Sequence, residues 1–66
     1  MEPGEIWDLI VKADEKVKYA TDERAGIRVD QARALLDEAL RAAEAIGNDG
    51  LADQARTRLQ DLAADD

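Results

Sequence analysis

The chain has 66 residues, enough for one domain built on one small core. Nine basic residues stand against 16 acidic ones, a net charge of −7, which disfavours phosphate backbones and anionic membrane surfaces as partners. There is no Cys, so disulfide staples and thiolate metal sites are excluded.

Stability must then come from tidy helix packing, from self-association, or from both. Each third of the chain is net acidic, and no segment is set aside for nucleic acid. A basic partner would complement this charge, though solubility alone also accounts for it. The longest apolar runs, such as Leu9-Ile10-Val11 and Ala34-Leu35-Leu36, are far too short to span a bilayer. The acidic start Met1-Glu2-Pro3-Gly4-Glu5 has no apolar core of a signal peptide. A cytoplasmic location is therefore expected, and the wealth of Ala, Arg and Asp suits a GC-rich bacterial genome.

A first helix is expected over about 4–20. It starts at Pro3 or Gly4, where a missing N–H costs nothing. Ile6, Ile10, Ala13, Val17 and Ala20 recur at helical steps, with Leu9 at the edge of the stripe. Trp7 and Val11 extend that face to one side. Asp8–Lys12 and Asp14–Lys18 are i,i+4 pairs in the favourable acid-first order.

The second helix, about 22–46, is the expected centre of the molecule. Ala25, Val29, Ala32, Leu36, Ala39, Ala43 and Ile46 return to one side of a helix. Leu35, Leu40 and Ala42 widen the apolar arc to roughly 160°, enough to touch two neighbours. Its stripe begins one residue late relative to the first, a rotation of about 100°. A continuous helix would therefore aim its two halves in different directions. A break between Ala20 and Gly26 removes the conflict. Thr21 is the preferred N-cap, with Asp22 and Glu23 in the first turn; alternatively Gly26 ends the first helix. Ala32, Ala39 and Ala43 imply close approach of neighbouring helices rather than a ligand cavity.

Gly47-Asn48-Asp49-Gly50 is the strong turn cluster. Gly47 suits the left-handed position after a helix, and Asn48 or Asp49 can cap the next one. The third helix, about 50–63, carries Leu51, Ala55, Leu59 and Leu62 on one face. Its last residues should fray, because Asp65 and Asp66 oppose the helix dipole. Short loops predict antiparallel neighbours. The fold class expected is all-α, a small antiparallel three-helix bundle forming one domain over 1–66.

The chemical inventory is thin. There is no His to act near neutral pH and no Ser or Cys nucleophile. The pairs Asp14-Glu15, Asp22-Glu23 and Asp37-Glu38 diverge by about 100° on a helix and converge on no site. Asn48-Asp49-Gly50 lacks the alternating oxygen ligands and closing Glu of a calcium loop and reads as a turn. No catalytic residue, metal site or cofactor is expected. Lys12, Lys16, Arg24 and Arg28, with Tyr19, form a candidate basic-aromatic patch for an acidic peptide or phosphate. The same residues also suit balancing neighbouring acids.

Residues 32–62 resemble a tetratricopeptide-type helical unit. The likeness lies in Ala32, Leu36 and Ala39, followed by the turn at residues 47–50 and the apolar positions Leu51, Ala55 and Leu59. It implies a helical hairpin used as a protein-binding scaffold, here one repeat plus a capping helix. The three-helix MIT domains, which bind helical peptides, are similar in size and Ala content.

The function expected is a non-enzymatic interaction module that binds a protein partner or a second copy of itself. Its partner-binding residues would be Trp7, Val11 and Leu35, at apolar edges that so short a chain cannot cover. The alternative is an acidic regulatory or antitoxin-like protein that masks a basic surface of its partner.

Overall fold

The computed structural model describes residues 1–20 and 25–64, the last by its backbone alone. Three helices follow each other: α1 (Pro3–Lys18), α2 (Ala25–Ala45) and α3 (Asp49–Ala64). Among the described residues there is no strand. The all-α three-helix bundle expected from the apolar stripes is the observed architecture.

Local chemistry sets the ends. Pro3 occupies the first turn of α1, where its fixed φ suits the helix. The backbone N–H of Glu2 reaches the Glu5 carboxylate at 3.4 Å. Lys16 and Lys18 lie in the last turn of α1, beside its free carbonyls. The helix stops at Lys18, so Tyr19 and Ala20, expected inside it, lie in the turn. Tyr19 donates its N–H to the Glu15 carbonyl, and Ala20 donates to Val17. A break where the two stripes fall out of phase is thus present. The proposed Thr21 cap, with Asp22 and Glu23, lies outside the described residues, as do Asp65 and Asp66. Ala63 and the backbone of Ala64, expected to fray, are helical.

The α2–α3 turn satisfies both helix ends in four residues. Gly47 takes φ +70°, donates to the Glu44 carbonyl at 3.1 Å, and lets Asn48 donate to Ala43 at 2.8 Å. This pair of bonds closes the end of α2. The Asn48 side-chain oxygen then accepts the Leu51 N–H at 3.1 Å, capping α3. One Asn therefore ends one helix with its backbone and starts the next with its side chain.

Helix α2 is central: it packs extensively on both α1 and α3, which touch each other far less. Arg56 lies near Glu44, while Leu62 shares a groove with Leu36, so α3 runs antiparallel to α2. The core consists of Ile6, Ile10 and Ala13 from α1, Ala32, Leu36, Ala39 and Ala43 from α2, and Ala52, Ala55 and Leu62 from α3. Leu9, Val29, Leu35, Leu40, Leu51 and Leu59 pack around it, half-buried. Among the described residues, only Ile6, Ile10 and Leu36 are large side chains buried completely. The core is accordingly small and Ala-rich. The molecule is flat, with principal extents of 37, 20 and 13 Å.

Two large stripe residues are exposed. Ile46 is exposed because α2 stops at Ala45 and the chain turns away. Val17 is 40% exposed; it lines the open groove between α1 and α3.

Candidate functional site

On α1, Trp7, Val11, Asp14 and Lys18 succeed each other at steps of 4-3-4 residues and share one flank. The structure turns this flank toward α3. The Arg58 guanidinium lies 5.8 Å from the centre of the Trp7 ring. Its Nε donates to both carboxylate oxygens of Asp14, at 2.9 and 3.1 Å. A terminal nitrogen of the same side chain donates to the Gln54 carbonyl at 3.1 Å and to its side-chain oxygen at 2.6 Å. Arg58 is thereby held in one pose, with its planar fork between an aromatic ring and a carboxylate.

Beside this tie lies an open groove of about 430 Å³ between α1 and α3. Leu36 of α2 and Leu62 of α3 form its apolar base. Asp14, Val17 and Lys18 wall it on one side, Arg58 and Asp61 on the other. Trp7 remains 43% exposed and Val11 36%, so an apolar ridge runs along the same flank of α1. Trp7 neither disappears into the core nor stands free; it packs one face toward Arg58 and leaves the rest to solvent.

Leu35 is placed elsewhere. It is half-buried against the core and shares a shallow surface with Lys16, Gln31, Ala34 and Glu38. Lys16 and Trp7 are nine residues apart on α1, about half a turn in net rotation. The two candidate edges therefore lie on opposite flanks, and Trp7, Val11 and Leu35 do not form one patch. From α3, Arg58 reaches Trp7, while Val17, Asp61 and Leu62 line the neighbouring groove with Asp14 and Arg58. No periodicity in the sequence marks Arg58 or Asp61 as neighbours of α1.

The basic-aromatic patch forms only in part. Lys16 and Arg28 line a small hollow with Ile27 and Gln31, and Ile27 is 64% exposed. Tyr19 is exposed, and its ring pairs with Lys18, whose ammonium lies 5.5 Å from the ring centre. Arg24 lies outside the described residues. The expected Asp14–Lys18 pair is replaced by Asp14–Arg58, because the guanidinium reaches both carboxylate oxygens at once. Asp8 and Lys12, both exposed, form no ion pair with each other.

Among the described residues, no group of three or more His, Cys, Asp or Glu is placed to hold a metal ion. Nor is any described helix long and apolar enough to cross a membrane. Comparison of the chain with family models, curated proteins and solved structures found no match. The helical pairs are compatible with a helical-hairpin fold, and no relative supports membership of the tetratricopeptide or MIT families.

Proposed function

We propose that this protein is a non-enzymatic helical interaction module whose docking surface is the α1–α3 side. Trp7 carries the reading. It is a large apolar side chain left 43% exposed and aligned with Val11 beside the groove. Trp and Arg are the residue types most enriched at binding hot spots, and here they are stacked and already ordered. Ordering Arg58 in advance lowers the entropy lost on binding. A partner laid along α1 would cover Trp7, Val11 and Val17 together. Such use also matches the role of helical hairpins as protein-binding scaffolds. Leu35, on the other flank, is a secondary edge at most.

The test is capture of partners from the native host by the wild-type chain and by Trp7→Asp, with helicity checked by circular dichroism. A folded Trp7→Asp variant should lose its partner. Unchanged capture removes Trp7 as the anchor. A salt titration of the captured complex separates the two modes of binding. An interface centred on Trp7 should survive added salt, whereas an acidic surface masking a basic partner should release it steeply.

A further inference from the structure

We infer that the α1–α3 groove is a self-association surface, and that its occupant is a second copy of this chain related by a two-fold axis. The inference rests on the reading of this side as a docking surface and names the partner.

Charge points to the partner. The chain carries −7 overall, so two copies repel each other wherever acidic surface meets acidic surface. The groove is an exception: Asp14 and Asp61 are balanced by Lys18 and Arg58. Two copies docked through this locally neutral patch avoid most of that repulsion. A strongly acidic or basic partner gains nothing from a rim of zero net charge. A two-fold interface demands that the patch complement itself, and this rim has the required mixture of signs. Asp14 and Arg58 already satisfy each other. Lys18 and Asp61 stand on opposite walls and form no ion pair with a described residue. Across a two-fold axis, Lys18 of each copy meets Asp61 of the other, giving the same pair twice.

Size points the same way. The chain exposes 4467 Å², whereas a globular monomer of its mass exposes about 4100 Å². Its radius of gyration is 11.6 Å, against about 10.8 Å for a compact domain of this length. A standard interface of about 800 Å² per partner takes a little under a fifth of the 4467 Å² surface. Stacking two flat copies on this side would enclose Trp7, Val11 and Val17 between them.

The experiment is sedimentation of the full chain, with Lys18→Glu and Asp61→Lys alone and mixed. Both sites are exposed on helices, and circular dichroism checks that the variants stay folded. The wild type should dimerise at micromolar concentration. Each variant alone places two like-charged pairs across the interface, and its self-association should weaken at least about tenfold. The equimolar mixture restores two attractive pairs and should recover the wild-type dimer as a heterodimer. A wild type that stays monomeric at high micromolar concentration overturns the inference. So do variants that dimerise undiminished, or a mixture that fails to recover. A monomeric wild type that still captures a partner in a Trp7-dependent way leaves the proposed function standing and removes only the self-association.

Discussion

Arg58 on α3 holds Asp14 on α1 through one Nε–H shared between both carboxylate oxygens, at 2.9 and 3.1 Å. Among the described residues it is the ion pair that ties α1 to α3. The two helices otherwise make little contact, and the groove lies beside this pair.

Arg58→Ala should lower stability by about 1 kcal/mol, summing a partly exposed ion pair and a cation–π contact. For a domain this small that corresponds to a fall in Tm of about 4–8 °C. Thermal melts at fixed protein concentration check it. A double-mutant cycle with Asp14→Asn should show coupling, since the two side chains are in direct contact. Arg58→Lys should recover only a minor part, because an ammonium cannot reproduce the planar contact with ring and carboxylate. An unchanged melt for Arg58→Ala would show that the tie is energetically idle.

Two Gly→Ala substitutions should have opposite signs. Gly47 has φ +70°, and a Cβ there would meet nothing within 4 Å. Its replacement is therefore a pure test of backbone strain. Gly47→Ala should cost about 1–2 kcal/mol. Gly26 is helical and exposed, with equally open space around it. Gly26→Ala should stabilise the protein by about 0.5–1 kcal/mol by removing unfolded-state freedom. Urea titrations of the two variants give both numbers.

Asn48→Ala should lose about 1 kcal/mol, because the Leu51 N–H forfeits its 3.1 Å acceptor. Asn48→Asp should retain most of the stability, since a carboxylate caps the same N–H and favours the helix dipole. Chemical denaturation of both variants checks this. An undiminished Asn48→Ala would show that the backbone bond from Asn48 to Ala43, which both variants keep, and not the side chain, carries the turn.

Leu36 and Leu35 are adjacent in sequence but should respond very differently. Leu36 is 1% exposed and is the largest buried side chain of α2. Leu36→Ala should cost about 2–5 kcal/mol, comparable with everything so small a core supplies. The variant is expected to be largely unfolded at 25 °C by circular dichroism. Leu35→Ala, truncating a half-buried side chain, should cost about 1–2 kcal/mol and leave the fold intact.

The legible part of this molecule is the part decided by local geometry. The stripe Ala32, Leu36, Ala39 and Ala43 could be read as the inner face of α2 because helical spacing alone puts those residues on one side. Gly47 and Asn48 could be read as a helix stop and a cap because a left-handed turn and an N-cap are chemical demands on single residues. The phase slip between the first two stripes disclosed a break, expected between Ala20 and Gly26, for the same reason; α1 ends two residues earlier, at Lys18. Trp7 and Val11 stood out as marginal to their stripe, and both remain exposed on one flank.

Other features depended on how helices sit against one another. Asp14 had a suitable cation four residues away in Lys18, yet it pairs with Arg58, distant by 44 positions. Val17 belongs to the apolar stripe but faces a groove. Leu35 looked equivalent to Trp7 and lies on the opposite flank. The amino-acid sequence by itself determined three helices, their apolar faces, the central place of α2 and the chemistry of the second turn. These follow from a periodicity and from caps that act within a few residues. Only the tertiary structure decided the spacing between α1 and α3, the partner of Asp14 and the surface around Trp7. Those depend on the rotation and separation of helices, which side chains far apart in the chain fix jointly when they pack.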